Sequence, residues 1–204
     1  MSLKNVKSSL GSISKSLSVS QDSREYLIKN TREVTILCSH AIINIHKGDR
    51  KIAKAKIQRA RNLLKSFRKK AIGELQRYLV TPEQEFVEAN ALLAIVEKKN
   101  IPDHKTISVS NESYVLGLLD CIGELKRLIF DNIRVGKSKE AARFFEIMEN
   151  LYLYLYPFAI HDKILREARR KLDVNRILIE DSRAVLTEEI RRDHLINTIK
   201  KLQK

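Results

Sequence analysis

Apolar residues recur at three- and four-residue spacing along nearly the whole chain, the period of helices with one buried face rather than the alternation of strands. From Asp22 onward, Tyr26, Ile28, Val34, Leu37, Ala41 and Ile45 predict a first helix ending near Gly48. Asp49 is placed to cap a second, running to about Val80. Thr81-Pro82-Glu83-Gln84 reads as an N-cap with proline at the first helical position, opening a third helix to about Lys98. Asn100 to Ser110 contains Pro102 and has no periodicity, so it is a loop. Ser110 or Asn111 then caps a fourth helix, Glu112 to about Val135, which Gly136 stops. A fifth covers Ser138 to Tyr156 and ends at Pro157, while Asp162 to about Glu180 and Ser182 to about Leu202 complete the count. The predicted fold is all-α, a seven-helix antiparallel bundle.

Residues 1–20 stand apart. They hold eight serines, three lysines and no acid, with Leu3, Val6, Leu10, Ile13 and Leu17 at alternating spacing, and read as a flexible arm or a conditional amphipathic helix. Residues 21–204 form a single helical domain. Composition supports this division: 43% of residues are hydrophobic, enough for a core, whereas 6 Gly and 3 Pro are too few for the turns of a sandwich or barrel. Cys38 and Cys121 lie in apolar helical contexts without metal-ligand spacing, which fits core thiols in a reducing, cytoplasmic setting. No apolar run approaches the roughly 20 residues that span a bilayer, so a soluble protein with no membrane partner is expected.

Charge changes the picture. Of a formal net charge of +14, residues 1–80 carry +13, with 18 Lys+Arg against 5 Asp+Glu. Arg50 to Lys70 places ten basic residues in 21 positions without one acid. Solvated helix faces normally mix both signs to gain i,i+4 pairs, so this single-sign stripe points to a polyanion, and nucleic acid fits better than a membrane because only Phe67 among its apolar residues is aromatic. Lys51, Lys54, Arg61 and Lys65 are the candidate phosphate contacts, with Arg32 and Arg127 beside them. The aromatics of the fifth helix, Phe144, Phe145, Tyr152, Tyr154 and Tyr156, fall at core spacing and read as core and subunit contacts.

Acids appear where apolar residues belong. Asp120 and Glu124, at i,i+4, interrupt the nearly apolar stretch Tyr114 to Phe130, and Gly117 and Gly123 beside them would let a neighbouring helix come close. Glu85 and Glu88, at i,i+3, repeat the pattern on the third helix. Two readings stay open. Glu124 can pair with Arg127 and Glu85 can gain from the positive end of its helix. If instead the pairs face each other, four carboxylates with no nearby Cys or His supply an all-oxygen shell suited to Mg2+ or Mn2+ rather than Zn2+.

At these residues the chain resembles the translin superfamily, and within it the catalytic branch typified by translin-associated factor X. The resemblance rests on Glu85-Phe86-Val87-Glu88-Ala89, Tyr114-Val115-Leu116-Gly117 and Asp120-Cys121-Ile122-Gly123-Glu124-Leu125-Lys126-Arg127, and extends more weakly from about Asp22 to the last helix. It implies a subunit of a hollow octamer, a homo-octamer or a hetero-oligomer with a translin-like subunit. It further implies a Mg2+-dependent endoribonuclease acting on single-stranded or partly unpaired RNA, with Glu85, Glu88, Asp120 and Glu124 as catalytic, metal-binding acids. The rival reading is a non-catalytic oligomer that binds single-stranded RNA or DNA and whose acids are structural.

Overall fold

A computed structural model describes residues 3–203, and the described residues form helices α1 (Lys4–Asn30), α2 (Arg32–Lys47), α3 (Arg50–Arg68), α4 (Val80–Val96), α5 (Asn111–Arg134), α6 (Ser138–Leu155) and α7 (Ala168–Leu202). Short 3-10 turns, Gly73–Leu79 and Tyr156–His161, precede α4 and follow α6. The all-α expectation holds, but the helix count does not. The two predicted C-terminal helices are one 35-residue helix, α7. α1 and α2 run on through Thr31, whose backbone is itself helical, so six helical rods rather than seven make up the described residues.

The predicted boundaries differ from the observed ones for local reasons. Ser182 stands where the last predicted helix begins, yet its hydroxyl donates back to the Leu178 carbonyl at 2.8 Å, a bond that keeps serine inside a helix. Asp162 does accept a helix N–H, from Arg169 at 3.1 Å, but across a turn, so α7 begins at Ala168. Thr81 lies inside α4, which starts at Val80; Pro82 sits in the first turn, where its missing N–H has no intrahelical partner to lose. Asp49 occupies the cap position of α3 without a side-chain bond. α3 stops at Arg68 instead of reaching Val80, and the chain then passes through an extended Ile72 and turns at Gly73, at φ 58°, a conformation that helix residues do not adopt, so the segment to Val80 is not one helix. Ser110, by contrast, caps α5 as expected, accepting from the Ser113 N–H at 3.1 Å.

α4 is apolar on almost every side and forms the middle of the bundle, packed on α5, α2 and α3. α5 in turn carries α6 and α7. Phe67, Phe86, Leu92, Leu119, Ile122, Leu125 and Ile129 are among the fully buried side chains at these contacts. The ends are tied by a buried charge. Glu83, 4% exposed, accepts two bonds from the Arg68 guanidinium, at 3.0 and 2.8 Å, and one from the Ser110 N–H at 3.0 Å. One carboxylate therefore joins the end of α3 and the starts of α4 and α5, which sets the register in which those helices face each other. On α6, Phe144 is buried, but Tyr154, and Tyr156 at the start of the turn that follows, are exposed. No helix among the described residues is long and apolar enough to cross a membrane.

Candidate active site

A Cβ added to Gly117 would lie 2.5 Å from the Gln84 carbonyl oxygen and 2.7 Å from Val87 Cβ, closer than side chains come. The α4 and α5 backbones approach there because residue 117 is glycine. Gln84 and Val87 are the chain neighbours of Glu85 and Glu88, and Asp120 lies one turn beyond Gly117. The tight crossing therefore places the two acid pairs opposite each other. Gly123 does not share this role: nothing lies within 4 Å of its would-be Cβ.

The electrostatics record the convergence. Burial first, then Asp120, Glu85 and Glu124, push the Glu88 carboxyl up to about 9. Glu85 is raised by burial and by Asp120, and Asp120 by burial. Ser39 Oγ of α2 donates to Glu85 Oε2 at 3.5 Å. Among the described residues Glu88 has no hydrogen-bond or ion-pair partner, so a half-buried acid faces three others with nothing beside it to neutralise it except more distant lysine charge.

Two basic groups that the sequence reading missed complete the site. The expected absence of histidine is overturned: His46, in the last turn of α2 and with a side chain 4% exposed, places Nε2 2.5 Å from Glu124 Oε2. Its Nδ1 is buried without a hydrogen bond, 3.9 Å from Asp131 Oδ2. Arg127, the expected partner of Glu124, is exposed and only reaches 4.0 Å. From α7, Lys171 Nζ donates to Asp120 Oδ1. One turn further on, the buried Asn175 donates to the Leu119 carbonyl at 2.9 Å, which fixes α7 against α5 so that the lysine meets the acid. Cys38 and Cys121 are buried thiols beneath the cluster; burial and the neighbouring carboxylates push both up, so neither is a nucleophile.

The readable signals were faint. Ser39 and His46 are seven residues apart and share a face of α2, while Lys171 and Asn175 break the buried line of Leu172, Ile179 and Leu186 on α7. A polar residue at core spacing was the cue in each case.

As a metal site the group has suitable chemistry but no finished shell. Four carboxylates with one oriented imidazole suit a hard divalent cation, and unpartnered Glu88 is the side chain such a cation would neutralise. Among the described residues, however, no three His, Cys, Asp or Glu side chains are set around a common ion position, because Asp120 is turned to Lys171 and Glu124 to His46.

The basic stripe is divided by its surroundings. Lys51 and Lys65 are exposed with no ion-pair partner among the described residues, as is Arg32 on α2. Lys54 pairs with Glu97 at 2.5 Å. Arg61 is half-buried, its guanidinium 5.9 Å from the centre of the Phe86 ring, and so belongs to the α3–α4 contact rather than to a free cationic face.

The Translin family model matches residues 72–180, which include all four acids. An uncharacterized protein of Methanocaldococcus jannaschii, MJ0175, is 34% identical over 183 residues, covering 88% of this chain and 82% of its own. Among solved structures, the AfC3PO–duplex RNA complex aligns with TM-score 0.80 at 29% identity, over 90% of this chain and 97% of that one. The crystal structure of AfC3PO aligns with TM-score 0.80 at 28% identity over the same shares. Apo-NeC3PO, with TM-score 0.77 and 20% identity over 88% of this chain and 96% of its own, shares the fold.

Proposed function

This chain belongs to the translin family, and from that premise we propose that it is a metal-dependent endoribonuclease that cuts RNA inside a hollow oligomer. The observation that carries the reading is the face-to-face placement of Glu85 and Glu88 against Asp120 and Glu124, with Glu88 unpartnered. A similar protein, AfC3PO, forms a complex with duplex RNA, which supports RNA as the polyanion and makes paired RNA a further substrate to test beside the single-stranded or partly unpaired ones. Glu85, Glu88, Asp120 and Glu124 are the residues that would hold Mg2+ or Mn2+, which when bound supplies an activated water and a counter-charge for the attacked phosphate.

The remaining roles belong to the chain itself. His46 orients Glu124, and its short hydrogen bond leaves the other carboxylate oxygen free. Lys171, held by Asn175, brings positive charge to the edge of the acid cluster, where it can meet a phosphate oxygen or steady Asp120. Arg32, Lys51, Lys65 and Arg127 offer exposed cations for the RNA backbone.

A specific observation favours the rival, a binding oligomer with structural acids: Asp120 and Glu124 each already have a basic partner. Incubating labelled single-stranded and duplex RNA with the purified protein, in Mg2+, in Mn2+ and in EDTA, separates the two. Cleavage that needs the metal is expected; metal-independent retention of intact RNA would select the rival.

A further inference from the structure

α1 is a helix of 27 residues, about 40 Å long at 1.5 Å per residue, and only Leu27 of it is buried. Every residue from Leu3 to Ser20 is exposed. That stretch is a poor helix former by itself, with Gly11 and a succession of serines. A helix of that composition persists in water when tertiary or quaternary packing covers an apolar face, and the face is there. Leu3, Val6, Leu10, Ile13 and Leu17, between 51 and 69% exposed, follow one another at intervals of three, four, three and four residues.

This is a heptad seam with Leu3, Leu10 and Leu17 at a and Val6 and Ile13 at d. Continued toward the bundle, the same line passes Ser20 and Arg24 and ends on Leu27, which is fully buried. Arg24 meets Tyr78 at 2.8 Å. The protein's own body thus covers the base of the seam, and beyond its edge the apolar line continues uncovered.

We infer that α1 is an assembly helix, its seam covered by the α1 helices of other copies of this chain in a parallel coiled coil. Three features select that occupant. Leucine at a with β-branched residues at d is the arrangement that favours bundles of three or four identical helices. The flanking e and g positions among the described residues are Lys7, Ser14, Ser9 and Ser16, and in parallel register Ser9 meets Ser14, so no two cations among them face each other and copies meet without like-charge contact there. A membrane surface is less suited, since residues 3–20 contain no aromatic and few cations. The inference is independent of any nuclease activity.

The test uses the full-length protein, whose native cysteines are both buried. Leu10→Cys and Ile13→Cys, at seam positions, are expected to form intermolecular disulfides on mild oxidation, whereas Ser8→Cys, on the outer face, is not. Tryptic cleavage after Lys7 and Lys15 is expected to be at least 10-fold faster in Leu10→Glu/Ile13→Glu than in the wild type, with the melting temperature of the bundle unchanged because neither residue touches it. Equal cleavage rates would show the seam uncovered and overturn the inference. Protection without cross-linking at Leu10 or Ile13 would overturn it in favour of another occupant, as would protection that appears only with anionic vesicles.

Discussion

His46 Nε2 and Glu124 Oε2 lie 2.5 Å apart, although 78 residues separate them in the chain. The contact links the last turn of α2 to the middle of α5 and gives one acid of the cluster a fixed orientation. Outer hydrogen bonds of this kind typically contribute about 10- to 100-fold to metal affinity. His46→Ala is therefore expected to weaken Mn2+ binding by about that factor, as measured by calorimetric titration. Equal affinity in the two proteins would detach the imidazole from the site.

The acids themselves are tested by activity. Glu85→Gln touches only Ser39 and is expected to lower RNA cleavage at least ~100-fold, in line with the loss of one electrostatic contact at a reacting centre, while RNA affinity stays near wild type. Asp120→Asn should behave alike. Full cleavage by both variants would make these acids structural.

Glu88 predicts a pH dependence with a defined sign. Its folded-state pKa, about 9, exceeds that of an unfolded glutamate, so the folded chain holds a proton that the unfolded chain releases. The stability tied to that proton is complete below the unfolded pKa and is lost as pH rises toward 9. In EDTA, the wild-type melting temperature should fall across this window, and Glu88→Gln should flatten the fall. Mg2+ should restore stability at the alkaline end, where the carboxylates are ionised. Parallel pH profiles for wild type and variant would refute the assignment.

RNA binding should depend on salt through the exposed cations. Each phosphate contact removed lowers the slope of log affinity against log salt by about one. Lys51→Ala combined with Lys65→Ala is expected to weaken binding to all sequences and flatten that slope. Arg61→Ala should instead lower the melting temperature, since its guanidinium lies over Phe86 in the α3–α4 contact. An unchanged slope in the lysine double variant would place RNA elsewhere.

The two glycines of α5 should respond in opposite directions. Gly117→Ala forces a Cβ into the Gln84 carbonyl, and overpacking of this kind costs about 1–3 kcal/mol. At this chain length each kcal/mol lowers the melting temperature by about 2–4 °C. Gly123→Ala meets nothing and gains helix propensity, up to ~1 kcal/mol. Thermal melts of the two variants check the contrast.

What the sequence determined by itself was whatever local periodicity encodes. The 3.6-residue spacing determined the helical class and the position of most helical segments, though not where α3 ends or that α7 is one helix, and i,i+3 and i,i+4 spacing put Glu85 with Glu88 and Asp120 with Glu124. The contiguous motifs around them pointed to the family that the comparisons then showed. Helix ends were less legible, because serine and aspartate cap or back-bond according to where the chain packs, as Ser110 and Ser182 illustrate in opposite senses. Only the tertiary structure could bring His46, Ser39 and Lys171 to the acids, since local spacing marks a polar residue at a core position but does not say which residue 46 to 78 positions away it meets. It also divided the basic stripe, leaving Lys51 and Lys65 in solvent while Arg61 turned onto Phe86. A charge run specifies a helix face, but the neighbour packed against that face decides which of its cations remain free.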